Sequence, residues 1–169
     1  MSMIGEYARV TPAELDRARR DPEWALDLVS ARMNAEPADG TDPAAARCLD
    51  IDKAWDAVGF LLRRTSFPVD IVHGEEELAN ADDWGYGPPR CLAPDRVRAA
   101  AEALASISGA DLTAGVDPAD LARSEVYPTI VWERGGGESL DYVREHYDAL
   151  RPFFRAAADD GDGMLVWLG

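Results

Sequence analysis

Histidine, cysteine and lysine are scarce in this chain of 169 residues. It has two histidines, His73 and His146, two cysteines and one lysine, Lys53, against sixteen arginines. A catalytic zinc site takes three protein ligands, and neither imidazole has an HExxH spacing or a second histidine nearby. The turn over 160–163 lacks the repeated oxygen ligands and the distal glutamate of a calcium loop. We therefore expect no metal site.

Signatures of nucleotide binding and covalent catalysis are missing as well. The glycines over 135–137 are not followed by Lys-Ser or Lys-Thr, so no P-loop is present, and no GxGxxG, GxSxG or CxxC occurs. Cys48 and Cys91 each lack a local activating signature. The sequence thus predicts no cofactor, and it identifies no catalytic residue.

Long hydrophobic runs are absent too. No stretch approaches the roughly 18 apolar residues of a membrane helix, and segment 1–9 has neither the basic nor the apolar region of a signal peptide. We expect a cytoplasmic protein with reduced thiols and no membrane partner. Two cysteines alone do not exclude a disulfide.

Basic residues are few relative to acidic ones. The chain has 17 basic and 32 acidic residues, which give a formal net charge of −15. Such a surface repels nucleic acid backbones and anionic membranes, and it speeds encounter with basic partners. Two interpretations stay open: a charge that serves solubility alone, and a binding face for a cationic protein.

The chain does have the material for a core. Its hydrophobic fraction is 47%, it has five tryptophans, and its length is that of one domain. No segment has the composition of a linker between two folded units. We predict a single domain over 1–169.

Capping residues followed by proline mark several helix starts, at Thr11-Pro12, Asp21-Pro22 and Asp117-Pro118. The expected helices are 12–20, 22–33, 53–64, 94–107, 118–123 and 140–157, the last kinked or broken at Pro152. The expected extended segments are 3–10, 67–72, 127–133 and 164–168, with a helical turn near 43–47 and loops over 34–42 and 73–93. This order predicts an α+β fold, in which about five or six helices cover a small sheet built from N-terminal, central and C-terminal strands.

The first candidate binding site is the run LDIDKAWD over 49–56. Asp52 and Asp56 lie one helical turn apart, so their carboxylates can share a proton or a cation, and Lys53 lies beside them. In a simpler interpretation Asp50 or Asp52 caps the helix, and its dipole favours carboxylates in the first turn. Both interpretations stay open.

The second candidate is the run DDWGYGPPR over 82–90. Its two glycines permit positive φ, its two prolines stiffen the exit, and Trp84, Tyr86 and Arg90 supply contact groups. Such a loop can line a pocket in which Arg90 holds an anionic group. It can equally be a surface loop whose aromatic side chains pack on the core.

Four segments together resemble the YfbM-like family of bacterial proteins of unknown function. They are MSMIGEY over 1–7, LDIDKAW over 49–55, WGYGP over 84–88 and LVW over 165–167. The resemblance spans essentially the whole chain and implies an α+β fold in a small bacterial cytosolic protein, but it supplies no activity. The family pattern has a histidine where this chain has Gly59, so a site that used that histidine would be missing here.

Two functions follow from these observations. The negative charge and the absence of nucleophile and metal signatures favour a binding or interaction protein without a catalytic role. Its partner would be basic, as for an immunity protein that blocks a toxin. The alternative is a small-molecule-binding protein or enzyme with a pocket between the helix start at 50–56 and the loop at 84–90. That alternative requires the two segments to lie side by side.

Overall fold

The computed structural model describes residues 2–37 and 40–169, so Met1 and residues 38 and 39 of the expected loop 34–42 lie outside the described part. Five strands form one sheet: β1 Gly5–Val10, β2 Cys48–Asp50, β3 Glu76–Glu77, β4 Arg90–Leu92 and β5 Gly163–Leu168. Their order is β2-β1-β5-β4-β3, and every neighbouring pair is antiparallel. The two six-residue strands from the ends of the sequence therefore lie side by side inside the sheet.

Eight α-helices surround this sheet in the described residues. They are α1 Pro12–Arg20, α2 Pro22–Ala35, α3 Trp55–Arg63, α4 Pro94–Ala105, α5 Gly109–Thr113, α6 Pro118–Arg123, α7 Thr129–Arg134 and α8 Gly136–Asp159. A 3₁₀ turn, Asp52–Ala54, leads into α3. None of the described helices has the length and apolar character needed to cross a membrane. The predicted α+β fold is confirmed, with more helices than expected.

The cap-then-proline pattern explains where three helices begin. Thr11 Oγ1 accepts a hydrogen bond from the Glu14 backbone N–H, and the Glu14 carboxylate accepts one from the Thr11 N–H, which together form a capping box. Asp21 and Asp117 cap α2 and α6 with their carboxylates. The predicted starts of α1, α2 and α6 are confirmed.

The strand predicted over 127–133 is wrong. Most of this segment belongs to helix α7, and only Trp132 within that helix is buried. Its indole N–H donates to the Val126 carbonyl at 2.9 Å, while Ile130 is 49% exposed. The β-branched and aromatic composition suggested a strand, but burial on one side of a single turn suits a short helix.

Several smaller expectations also differ from the structure. Segment 67–72 forms turns outside the sheet, whereas the expected loop 73–93 contains β3 and β4. The short strand β2 follows the turn near 43–47. Helix α8 does not break at Pro152 but continues to Asp159. The missed strands have only two or three residues, too few for their alternation to stand out.

The sheet separates two apolar layers. Successive strand residues point to opposite faces, so Tyr7 and Val166 belong to the layer with α3, α4 and α8. Ala8 and Trp167 belong to the other layer, which contains buried residues of α1 and α2. The sheet is therefore covered on both faces, and the ends of its strands are the places left for polar sites.

One end of the sheet is closed by charged side chains. Arg9 on β1 is only 3% exposed, and its Nε donates to Asp162 Oδ2 at 3.0 Å. The same carboxylate oxygen lies 3.2 Å from Arg47 Nη1, and Asp160 also pairs with Arg9. The Arg9 carbonyl accepts from Arg32 Nη1 at 2.8 Å. We call this region the ion-pair end.

The other end of the sheet we call the open end. It is formed by Gly5 where β1 begins, Asp50 where β2 ends, Leu168 where β5 ends and Arg90 where β4 begins. The β1–β5 ladder continues here past its last strand residues. Ile4 N–H donates to the Gly169 carbonyl, and Gly169 N–H donates to the Ile4 carbonyl, both at 2.9 Å.

Candidate functional site

Both candidate segments from the sequence lie at the open end. The run 50–56 begins where β2 ends, and the loop 84–90 leads into β4. The Tyr86 N–H donates to the Leu168 carbonyl at 2.9 Å, which fixes the loop against the end of β5. Four hollows near these elements are described below, and none of those four is lined by both segments. The structure brings the segments to one end of the sheet, where different hollows border them.

A polar cluster joins the first segment to α8. The Tyr142 hydroxyl donates to Asp52 Oδ2 at 2.7 Å and accepts from the Lys53 N–H at 3.0 Å, while Lys53 Nζ lies 3.5 Å from Asp52 Oδ1. Burial acts to raise the pKa of Asp52, but the Tyr142 hydrogen bond and the charges of Lys53 and His146 outweigh it, so this pKa lies below its usual value. Asp52 is thus an ionised, half-buried carboxylate with its own partners.

The backbone of Asp52 is also unusual, because its φ is +47°. Aspartate tolerates this left-handed region better than most residues, and such conformations often mark functional or tightly constrained positions. Here the constraint is visible: Tyr142 holds both the Asp52 carboxylate and the next backbone N–H. The geometry accounts for the conformation without a ligand.

Asp50 and Asp56 make separate backbone contacts. Asp50 Oδ1 accepts from the Asp52 N–H at 3.1 Å, and Asp56 Oδ2 accepts from the Tyr127 N–H at 2.8 Å. Neither Asp50 nor Asp52 caps a helix, since the 3₁₀ turn and α3 begin without a side-chain cap. The interpretation as helix caps is wrong, and Asp52 and Asp56 bind different groups.

The second segment, loop 84–90, is folded onto the strand ends. Trp84 packs edge-on against Trp167 with ring centroids 5.3 Å apart. Gly85 has φ +139°, and a Cβ atom there would lie 2.7 Å from the Leu168 carbonyl oxygen. Only glycine fits this close approach. Tyr86, next in the chain, has a 40% exposed side chain.

The loop lines a cavity of about 190 Å³, which we call the loop cavity. Arg90 lies in its wall, with Nε donating to the Gly74 carbonyl at 3.1 Å and Nη2 to the Glu75 carbonyl at 3.0 Å. The remaining lining residues are Val72, His73, Glu77, Tyr86, Gly87, Pro88, Val166, Trp167 and Leu168. The opposite wall thus comes from 72–77 and β5, rather than from 50–56.

Sequence reasoning missed a second region, on α2. Leu26 and Met33 on this helix are each 41% exposed, an unusual degree for large apolar side chains. Leu26 borders a hollow of about 180 Å³ with Trp84, and Met33 borders one of about 310 Å³ with Glu6. We call the flank of α2 with these two hollows the α2 groove. The available signal was apolar residues on more than one side of the helix at 22–33.

Buried Trp167 contacts one lining residue from each hollow of the α2 groove. It packs against Trp84 and pairs directly with Glu6 across the β1–β5 ladder. Burial, reinforced by the charge of Asp50, raises the pKa of Glu6 to about 7. Glu36, in the same hollow, accepts hydrogen bonds from Thr41 and two backbone N–H groups, which lower its pKa despite some burial.

Each histidine contacts a different neighbour. His73 Nδ1 lies 3.4 Å from Asp70 Oδ2, and this hydrogen-bonding partner raises the pKa of His73 although burial opposes it. His146 packs edge-on against Tyr142 at 4.7 Å. Within residues 2–37 and 40–169, no group of three or more His, Cys, Asp or Glu side chains is arranged to hold a metal. Both cysteines are free thiols.

Gly59 on α3 borders another hollow of about 190 Å³, together with Asp70 and Arg63. A Cβ atom at position 59 would lie 3.3 Å from both Arg63 Nη1 and Val72 Cγ2. A larger side chain at this position would therefore need its neighbours to move.

Comparison with known proteins places this geometry in a family. A solved structure of YfbM, a protein of unknown function from Escherichia coli, matches with a TM-score of 0.68 at 21% identity, over 99% of this chain and 100% of that chain. At this identity the likeness shows the fold alone. No curated protein matches the chain. The family model described as "Domain of unknown function (DUF1877)" matches residues 1–167, so the YfbM-like resemblance is confirmed and the chain belongs to the DUF1877 family.

Proposed function

We propose that the protein is a binding protein without a catalytic role, and that it binds a basic segment of a partner protein in the α2 groove. The observation that carries this proposal is the combination of exposed apolar side chains on α2 with hollows whose charged lining is almost entirely acidic. An immunity-like role toward a basic toxin is one version of this function.

The apolar part of the α2 groove has the spacing of a docking surface. Leu26 and Met33 are seven residues apart, so they lie on the same flank of α2, about 10 Å apart along its axis. Two exposed anchors at this spacing match the i and i+7 contacts of a partner that lies along a helix. Burial of both side chains would supply part of the binding free energy, about 1–2 kcal/mol for each.

The charged part of the groove selects the partner. The acidic residues lining the two hollows are Glu6, Glu36 and Asp50 at one end and Asp21, Glu23 and Asp82 at the other. The basic lining residue among those described is Arg20. A cationic segment complements this arrangement, and electrostatic attraction speeds its association. A second copy of this chain is a poor occupant, because each copy has a net charge of −15.

Glu6 adds a pH dependence to the proposed binding. Burial and Asp50 hold its pKa near 7, so its carboxylate is only partly ionised at neutral pH. A lysine or arginine side chain in the hollow beside Glu6 would favour the ionised form and release a proton. Binding should therefore be tighter at pH 8 than at pH 6, and a Glu6→Gln variant should lose most of that difference.

A site-specific crosslinking experiment tests the proposal. A photoreactive residue is placed at Leu26 or Met33 in the full chain, and at Ile130 as the matched control. Ile130 is an exposed apolar position on α7, the helix whose Trp132 packs in the opposite layer. We expect crosslinks from the two α2 positions, absent from position 130, to a basic segment that mass spectrometry identifies. A synthetic peptide of that segment should bind the purified chain and weaken at least about tenfold with Leu26→Ser plus Met33→Ser.

Three results would overturn the proposal. They are equal crosslinking from position 130, capture of a second copy of this chain, and a captured segment without excess positive charge. A peptide that binds equally well to the double variant would also contradict it. Because Leu26 and Met33 are exposed, their replacement should leave the melting temperature within a few degrees of the parent, which separates lost binding from lost folding.

The alternative function, a small-molecule site or enzyme between 50–56 and 84–90, has weaker support. The two segments share the open end, but one hollow is lined by residues of the first segment and another by residues of the second. Asp52, Lys53 and Asp56 are engaged by Tyr142, by each other or by Tyr127. A ligand bridging these segments would have to displace those contacts.

A further inference from the structure

The loop cavity combines a fixed cation with an apolar floor, a combination that the α2 groove does not have. Its volume of about 190 Å³ suits a ligand smaller than a nucleotide or a peptide. The apolar part of the lining includes Val72, Val166 and Leu168, and the polar part includes Arg90, Tyr86 and His73. The ligand class follows from how these polar groups are held.

Arg90 lines the cavity, and its guanidinium is held in a fixed position. Two of its guanidinium nitrogens are anchored on the Gly74 and Glu75 carbonyls. Its third nitrogen, Nη1, lies 3.6 Å from Glu77 Oε1, which is too long for a hydrogen bond. The planar guanidinium is thereby oriented in advance, and Nη1 keeps its donors for another acceptor.

Glycine at position 74 allows Arg90 to bind these two carbonyls. Gly74 has φ +83°, and a Cβ atom there would lie 2.8 Å from the Arg90 Cβ. Any other residue would push the arginine away from the two carbonyls that fix it. Gly85 likewise lets the loop approach the Leu168 carbonyl, so two glycines outside the lining permit close backbone contacts with the lining residues Arg90 and Leu168.

Tyr86 and His73 supply further donors around the cavity. Tyr86 is 40% exposed and lines the cavity, so its hydroxyl can donate to a ligand there. The Nδ1 atom of His73 faces Asp70, which leaves its other ring nitrogen for a ligand. Trp55 packs edge-on against the His73 ring at 5.9 Å and limits its rotation.

We propose that the loop cavity binds a small carboxylate with a short apolar tail. The carboxylate accepts from Arg90 Nη1 and the Tyr86 hydroxyl, since charge-assisted bonds to arginine are the strongest available here. The apolar tail lies on Val72, Val166 and Leu168. The site is separate from the α2 groove and does not depend on the function proposed for it.

Glu77 gives the proposal its sharpest test. Its side chain is 62% exposed, and its carboxylate already lies beside Arg90 Nη1. A bound carboxylate would compete with it for the same donor. If the ligand is an anion, removal of this charge strengthens binding; if it is a cation, the same change weakens binding.

The experiment titrates the full chain with sodium butyrate and, in parallel, with butyramide, and follows the resonances of Tyr86 and His73 by NMR. We expect saturable shifts with butyrate and little change with the neutral amide. Glu77→Gln should tighten butyrate binding about two- to fivefold, the range for one exposed ion pair. Tyr86→Phe should weaken it about tenfold, as for loss of a hydrogen bond to a charged group.

Glu76→Gln is the matched control, because Glu76 pairs with Arg19 outside the loop cavity. It should leave butyrate binding unchanged. The proposal is wrong if butyrate causes no saturable shift at these residues, if butyramide binds equally well, or if Glu77→Gln weakens binding. The melting temperature of each variant shows whether its fold is intact.

Discussion

The two ends of the central sheet differ in how their charged side chains are paired. At the ion-pair end, Arg9 and Asp162 are buried, and each has several partners at hydrogen-bonding distance. At the open end, Glu6 is half-buried, and its charged neighbour is another carboxylate, Asp50. At the ion-pair end, the buried charges are paired and fix one arrangement of the surrounding elements. At the open end, the ionised form of Glu6 is less favourable in the folded chain than in the unfolded chain.

This difference separates structural from functional charge. Paired buried charges fix the packing of the elements that carry them, and removing one partner leaves the other as an uncompensated buried charge. A half-buried carboxylate without a cationic partner costs stability, and groups with perturbed pKa values cluster at functional sites. The same reasoning assigns the ion-pair end to folding and favours the open end as the place for the binding that we propose.

The largest effect should come from breaking the ion-pair end. Asp162→Asn keeps the shape of the side chain but removes the charge that holds Arg9 and Arg47. We expect the free energy of unfolding to fall by about 3 kcal/mol or more, as for one partner of a buried ion pair. Urea denaturation measures it.

The control for that variant is Asp159→Asn. Asp159 is 66% exposed and lies 4.0 Å from Arg155. Its replacement should change the free energy of unfolding by less than about 0.5 kcal/mol. Equal losses for the two variants would show that the network around Arg9 has no special role.

At the open end we expect a smaller change in the free energy of unfolding, and an increase in place of a decrease, for Glu6→Gln. The pKa of Glu6 is raised to about 7 in the folded chain, so between about pH 4.5 and pH 7 the folded state holds more protons than the unfolded state. Stability from this group is thus complete at low pH and is lost as the pH rises through that window. Glu6→Gln removes the loss and should stabilise the chain by about 1 kcal/mol at pH 8, after allowance for solvent screening.

Thermal unfolding at several pH values checks this prediction. The gain from Glu6→Gln should shrink toward zero near pH 4, where Glu6 is protonated in both states. A gain that does not depend on pH, or a loss at pH 8, would contradict an unfavourable charge at this position.

The smallest effect concerns a buried hydroxyl between the two ends. Tyr7 on β1 is 1% exposed, and its OH has no hydrogen-bond partner among the described residues. Burial, together with the charge of Asp70, raises the pKa of this phenol well above its usual range. Tyr7→Phe removes the unsatisfied group and should raise the free energy of unfolding by up to about 1 kcal/mol.

The same urea titrations used for the charged variants measure the Tyr7→Phe change. Its matched control is Tyr147→Phe, where the hydroxyl donates to the Ile107 carbonyl at 2.7 Å, and the loss should be about 1 kcal/mol. A loss of the same size for Tyr7→Phe would mean that the Tyr7 hydroxyl has a partner in solution, such as a bound water.

Local signals in the sequence located much of the fold. Thr11, Asp21 and Asp117 cap helices as their sequence context predicts, because a cap and a proline act within one turn. The strand predicted over 127–133 failed because β-branched residues also occur in short helices when only one side is buried. Short strands such as β2 depend on pairing with residues far along the chain, which no local pattern encodes.

The candidate site was harder to predict than the fold. Loop 84–90 was singled out for its glycines and aromatics, and it lines a cavity, but the opposite wall comes from 72–77 and β5. The carboxylates of 50–56 read as a cluster in the sequence and turn out to have separate partners. Leu26 and Met33 went unnoticed, since exposure of an apolar residue on a helix depends on what the tertiary fold places against it.

The double hydrogen bond between Ile4 and Gly169 makes the chain a good candidate for circular permutation. These residues exchange both backbone bonds at 2.9 Å, so a short glycine linker from residue 169 to residue 2 would close the chain without disturbing the ladder. Closure would restrict the unfolded ensemble and hold β1 and β5 together. New termini opened within the exposed segment 82–83 would then show whether loop 84–90 keeps its conformation when its covalent connection to β3 is cut.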